Sequence, residues 1–279
     1  MTARANIPPW HARLALAYAA HDGRSVLTRR EHDGPLAVQK PLYPEGNAVC
    51  HTVLLHPPGG IAGGDQIDIA LTLEAGSHAL ITTPGAAKWY RSLGAVATQQ
   101  VRCRVAAGAA LEYLPQEGIL FDGCRGSSVL AVQLDEGASF IGWDISVMGR
   151  QASGEDYVSG VMQQRCEIEV NGQPVWFETA RLAGGEAALD SPAAYRGCRV
   201  SGTLYAVGHK VSADTLAASR ALALQCGALA GVTQLPEVFV ARYLGNDVEA
   251  ARTYFANVWT LLRPDMLGLD AQPPRIWRT

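Results

Sequence analysis

Charge is scarce in this chain, and neither sign of it prevails. Only 18% of the 279 residues are charged, and 23 basic against 26 acidic side chains leave a formal net charge of −3. That balance gives no basic footprint for nucleic acid or for an anionic membrane surface, so neither is expected as a partner. Long apolar runs are missing as well. The longest apolar stretch of helical character, Leu216 to Val232, is interrupted by Arg220 and Gln225 and is too short and too polar to span a bilayer. Met1 to Trp10 is broken by Pro8 and Pro9 and leads into His11 and Arg13, without the apolar core of a signal peptide, so a cytoplasmic location is expected. The six cysteines (Cys50, Cys103, Cys124, Cys166, Cys198 and Cys226) form no C-x-x-C pair and read as reduced, mostly buried thiols. Also lacking are a G-x-S-x-G elbow, an H-E-x-x-H motif and a helical pair of histidine ligands. No enzymatic constellation converges.

Glycine, by contrast, is abundant, and it is concentrated in one place. The decapeptide His56-Pro57-Pro58-Gly59-Gly60-Ile61-Ala62-Gly63-Gly64-Asp65 holds four glycines and two prolines directly after the apolar run Thr52 to Leu55. A Gly-rich turn can cradle phosphate with its backbone N–H groups. Here a P-loop lysine is absent, Asp65 stands where it would repel phosphate, and residues 66–73 alternate as a strand rather than opening a helix. The segment therefore reads as a tight loop between two strands, with Asp65 as its one residue of chemical interest.

A weak repeat decides the fold class. Leu73 to Ile81, Val105 to Tyr113 and Leu134 to Gly142 share one template: an apolar residue, two variable residues, glycine, a small residue, a variable one, then a strand. The template glycines, Gly76, Gly108 and Gly137, lie 32 and 29 residues apart, which suits stacked strand-turn-strand coils. Alternating segments at 97–105, 127–134 and 164–170 supply further strands, and Asn171-Gly172 signals a type I′ hairpin. A mainly β protein follows, built as a β-helix-like stack or a distorted sandwich of coils. The helices fall in a C-terminal part, 212–279, of a single domain. One is capped by Ser212, runs to about Leu229 and ends at Gly231; another starts at Asn246-Asp247-Val248-Glu249 and stops before Arg263-Pro264.

Chemistry is sparse on this frame. Cys50 and His51 are adjacent on a strand and point to opposite faces, which argues against a closed metal site formed with His56. Asp65, Glu117, Asp122 and Asp144 stand beside turns, where oxygen ligands suit transient contact with a divalent ion. Lys88-Trp89-Tyr90-Arg91 places four large amphipathic side chains in succession, so some must be exposed, and Trp, Tyr and Arg are favoured at interfaces. The stripe through Trp259 is most simply core, with a partner groove as the alternative.

Taken together, these segments resemble the urease accessory proteins called UreD or UreH. The resemblance runs from Gly34-Pro35-Leu36-Ala37-Val38-Gln39-Lys40-Pro41 through Leu54 to Asp65, Thr82-Thr83-Pro84-Gly85-Ala86-Ala87-Lys88-Trp89-Tyr90-Arg91 and Tyr113-Leu114-Pro115-Gln116-Glu117. It continues with Leu120-Phe121-Asp122-Gly123, Gly142-Trp143-Asp144, Arg242-Tyr243-Leu244-Gly245 and Pro273-Pro274-Arg275-Ile276-Trp277. The resemblance implies a non-catalytic scaffold with a β-helix-like body that binds apo-urease and the helical partner UreF. UreF in turn recruits UreG, the GTPase that carries nickel. It further implies nickel in transit rather than a tightly held cofactor. Asp65, Thr83, Glu117 and Asp144 are then the candidates for a channel wall, and Cys124, a departure from the family pattern, adds a soft contact. Lys88, Trp89, Tyr90, Arg91, Trp259, Arg275, Ile276 and Trp277 are the candidates for partner interfaces. Two rivals remain open at this point: a β-helical carbohydrate-active enzyme using paired carboxylates such as Asp122 and Asp144, and a stand-alone nickel-binding module.

Overall fold

The glycine repeat is a stack of turns in the computed structural model, which describes residues 9–224 and 227–278. Gly76, Gly108 and Gly137 have φ of 71°, 65° and 70°, the left-handed conformation that glycine adopts without strain. Each turn is closed by the same bond: the N–H groups of Ser77, Ala109 and Ala138 donate to Glu74, Ala106 and Asp135 carbonyls at 3.1, 3.0 and 3.1 Å.

The strands run in the order β1 (His11–His21), β2 (Arg24–Asp33), β3 (Ala37–Val38), β4 (Cys50–Leu55), β5 (Gly60–Ile61), β6 (Gln66–Leu73), β7 (His78–Thr82), β8 (Ala87–Trp89) and β9 (Ala97–Val105). They continue as β10 (Ala110–Leu114), β11 (Gly118–Leu120), β12 (Arg125–Leu134), β13 (Ser139–Met148), β14 (Val161–Val170), β15 (Gln173–Ala183) and β16 (Val200–Val207). Then follow α1 (Ala213–Arg220), β17 (Leu229–Gln234), β18 (Val238–Gly245) and α2 (Val248–Leu267). Successive coils stack in parallel, β6 on β9 on β12 on β14 and β7 on β10 on β13, giving two broad facing sheets. The short strands β5, β8 and β11 form a narrow third face. Antiparallel strands complete the broad sheets: β2 and β15 lie at the two edges of one, and β16, β18 and β17 extend the other. The expected stacked-coil β architecture is thus present, as two broad sheets and a narrow third face.

The decapeptide is a corner of this stack. A Cβ on Gly60 would strike the Tyr90 ring of the next coil, and one on Gly63 would strike Ser92, so close coil-on-coil approach demands glycine at both. Asp65 Oδ1 accepts from Trp10 N at 2.9 Å and Oδ2 from Ala62 N at 2.8 Å. Its carboxylate is committed to holding the corner.

Helix α2 covers the outer face of the β16-β13-β10 sheet. Asp247 caps it by accepting from Ala250 N at 3.1 Å, and Ala251, Phe255, Val258, Trp259 and Leu262 bury one stripe against Ile141, Trp143 and Ile145 of β13. Under the helix lies a sealed ionic cluster. Arg263, without solvent access, donates from Nε to Glu112 Oε2 at 3.0 Å and from Nη1 to Glu45 Oε2 at 2.6 Å. His78 Nε2 lies 2.7 Å from Glu112 Oε1, and His51 bonds Glu45.

Both helix boundaries differ from the sequence reading. Instead of stopping before Arg263-Pro264, α2 continues to Leu267 and closes at Gly268 with φ of 65°. Proline removes one helical N–H and disfavours helical backbone at Arg263, and the anchoring of Arg263 by two buried carboxylates offsets that cost. The helix begun at Ser212 ends at Arg220, and residues 229–234 pair as a strand with β18, so Gly231 lies in a sheet. Residues 225 and 226 of the expected helix, and with them Cys226, lie outside the described residues.

Burial alone would raise the pKa of Glu112, but its bond to His78 and the charges of His78 and Arg263 outweigh burial and hold it at about 2. A carboxylate depressed in the fold stabilises it above its unfolded pKa, and that contribution fades as pH falls from the ordinary carboxylate range towards 2. Glu112→Ala, which strands part of the Arg263 charge, should cost about 3 kcal/mol or more. Urea denaturation at neutral pH reads this loss, and the difference from the parent should shrink as the buffer is taken towards pH 2.

Candidate functional site

Parallel register determines what faces the space between the two broad sheets. Inward positions form ladders, each rung directly above its equivalent in the coil before. Nearest the glycine turns these are apolar: Leu73, Val105, Leu134 and Val170 in one ladder, and Leu71, Cys103, Val132 and Ile168 in the next. Further from the turns, a ladder of Ile67, Gln99, Ser128 and Gln164 introduces polar groups. There the interior opens into a cavity of about 640 Å³, lined by that ladder and by Thr83, Tyr113, Asp144, Thr203, Tyr205, Glu178 and Arg242 among others.

Two carboxylates stand in this cavity. Asp144 Oδ1 accepts from Gln164 Nε2 at 3.0 Å, across the gap between the sheets, and from Ser146 Oγ at 3.2 Å. Asp144 is exposed to the cavity, and the cavity walls crowd protein around its carboxylate. This enclosure raises its pKa against the two hydrogen bonds that lower it, and the negative charge of Glu178 adds to the rise. Glu178 bridges the gap at a second point: Tyr205 Oη donates to its Oε2 at 2.7 Å and Arg242 Nη2 to its Oε1 at 2.6 Å. Burial and the nearby carboxylates push the Cys166 thiol and the Tyr205 hydroxyl far up, so both are neutral. No group of three or more His, Cys, Asp or Glu side chains among the described residues is placed to hold a metal ion.

Of the residues expected on a channel wall, Thr83 and Asp144 line the cavity. Asp65 does not; His56 beside it does, and burial depresses the His56 pKa although the Asp65 charge opposes this. Glu117 is 7% exposed and also off the wall, with Arg252 Nη1 at 3.5 Å from an Oε2 that has no hydrogen-bond partner. Cys124 is sealed in the core at 3.6 Å from Tyr157 Oη, and burial pushes its thiol up and away from the metal-binding thiolate. Asp122 is likewise away from the cavity, accepting from Ser159 N at 2.7 Å and Ser159 Oγ at 2.9 Å and pairing with Arg91. Asp122 and Asp144 therefore share no site.

The expected interface residues divide. Lys88, Arg91 and Arg275 are exposed and Tyr90 is half-buried against Phe121. Trp89 and Trp259 are interior, at 4% and 0% exposure, and hold the chain to itself. Ile276 is half-buried, as is Trp277, which donates to Thr82 Oγ1 at 2.9 Å and packs against Trp143 and Trp259. Sequence reasoning missed Glu178, Tyr205 and Arg242. The signal that decides Glu178 is a bulge between Ile168 and Glu169, where Val175 is skipped so that Trp176 and Glu178 face inward and Phe177 is left 65% exposed. Without it Phe177 would stand opposite Cys166 and fill the cavity.

The described residues form a stacked-coil β body with a largely apolar cavity that holds a few polar groups between its sheets, and with helix α2 packed on an outer face. The model of the UreD urease accessory protein family matches residues 11–278, and the chain belongs to that family. It is 47% identical over 275 residues to the urease accessory protein UreD of Dechloromonas aromatica, covering 98% of this chain and 96% of that one. To the UreD of Cupriavidus pinatubonensis it is 47% identical over 278 residues (98% and 96%), and to that of Nitrosococcus oceani 47% over 272 residues (97% and 90%).

Because the pKa of Asp144 is raised, the folded chain holds that proton more tightly than the unfolded chain does. The resulting stabilisation is complete below the ordinary carboxylate range and is lost as pH rises through the raised value. Asp144→Asn removes this penalty. Its midpoint of thermal unfolding should exceed the parent's at pH 7, with the margin gone below about pH 4.

Proposed function

We propose that this chain is a non-catalytic scaffold in urease maturation, binding apo-urease and UreF, with UreG joining through UreF, and that nickel in transit passes through its interior cavity. Family membership supports the urease setting. The single observation that carries the nickel route is the pair of cavity carboxylates, Asp144 and Glu178, set among Gln164, Ser128, Thr83 and Thr203 in one cavity between the sheets. Oxygen ligands of this kind meet a divalent ion, and too few of them converge to trap it, which suits passage better than storage. A stand-alone nickel store would need a denser ligand set than the described residues bring together. A carbohydrate-active site would need two carboxylates at a working separation, and Asp122 and Asp144 do not share a cleft.

The surface agrees with a life among protein partners. Leu93 is 82% exposed, Val158 63% and Phe177 65%, large apolar side chains left to solvent on the outside of the coils. Nickel is cargo in this reading, and GTP hydrolysis belongs to UreG.

The test is reconstituted activation of apo-urease with nickel, UreF and UreG. Asp144→Asn combined with Glu178→Gln should still assemble with urease and UreF but lower the yield of active urease at least tenfold. Full activation by the assembled double variant would remove the interior from the nickel route.

A further inference from the structure

Arg242 is the feature that a cation-carrying cavity does not explain by itself. Cross-strand register lines up Asp144 with Thr203 and Thr203 with Arg242, so the three occupy one row across β13, β16 and β18, with adjacent strands about 4.8 Å apart. Arg242 reaches over the gap from that row and holds Glu178 Oε1 at 2.6 Å. A guanidinium already seated on one of two carboxylates repels a divalent cation arriving at it and occupies the oxygen that the cation would need. Yet Arg242 is not locked in. Its side chain is 51% exposed, where Arg263 on the outer face has no exposure and several further bonds. Glu178, for its part, keeps a second anchor: Tyr205 Oη on Oε2 fixes the carboxylate whether or not Arg242 is present.

We infer that Arg242 is a displaceable counter-ion that gates the cavity. Seated on Glu178, it keeps the free chain from holding divalent metal. Swung away, it leaves Glu178, held by Tyr205, and Asp144, held by Gln164, as two carboxylates of one cavity. This inference rests on the reading that nickel enters the cavity, and it adds what regulates its retention there. No covalent step is involved; one cation replaces another at Glu178 Oε1.

Equilibrium dialysis of the purified full chain against nickel ion alone tests the gate. The parent should bind weakly. Arg242→Met, which keeps the length of the side chain and removes its charge, should bind nickel at least tenfold more tightly, and Arg242→Lys should remain close to the parent. Adding Glu178→Gln to Arg242→Met should return binding to the parent level. Arg242→Gln, also uncharged but polar, repeats the measurement if the methionine variant does not fold. Binding no tighter in either uncharged variant, or a gain that Glu178→Gln does not reverse, overturns the gate. The two readings fail separately: a reversible gain in binding together with undiminished urease activation by the Asp144→Asn, Glu178→Gln double variant would keep the gate and discard the nickel route.

Discussion

Register between stacked parallel strands is the constraint from which the rest of the molecule follows. Once Gly76, Gly108 and Gly137 turn three successive coils in the same way, each inward position is directly above its counterpart, and a choice of side chain propagates through the stack. Leucine, valine and cysteine at the two ladders nearest the turns fill the space between the sheets. Four residues further from the turns, glutamine and serine stand in the wall of the cavity that opens there. Core and cavity are thus two ends of the same strands, and the rigidity of one sets the dimensions of the other.

The buried cluster around Arg263 plays a complementary part on the outside. Desolvating two glutamates and an arginine costs about as much as their attraction returns, so adhesion of α2 comes mainly from its apolar stripe, with Phe255, Trp259 and Leu262 fully buried. The ionic cluster instead fixes where the helix lies. Glu112 is on β10, Glu45 on the segment before β4 and Arg263 near the helix end, and only one placement satisfies all three. The sheet face beneath the helix is then covered, and the cavity lies on the inner face.

Much of this was legible in the sequence, because turns and ladders are local. The spacing of three glycines gave the coil, and Asn171-Gly172 gave the hairpin that ends the parallel run. What escaped depended on partners distant in the chain. Leu229 to Gln234 carries no signal separating a helix end from an edge strand until β18 lies alongside. Pro264 argues locally for a helix stop, and only the contacts of Arg263 with residues more than a hundred positions earlier overrule it. Asp144, singled out from its place beside a motif, lines the cavity, whereas Asp65, in a more conspicuous one, ties a corner together. Glu178 could not be found by alternation, since the bulge at Ile168/Glu169 reverses the parity of β15.

The central claim is that nickel travels through the space between the sheets, and blocking that space tests it most directly. Thr203, an uncharged residue, stands in the cavity wall between Asp144 and Arg242. Thr203→Trp should fill the passage, and Thr203→Ser should leave it open. With both variants shown to assemble with urease and UreF, the account predicts that nickel-dependent activation of apo-urease is lost with tryptophan and retained with serine. Activation at the parent rate by a Thr203→Trp protein whose cavity is demonstrably filled would contradict it.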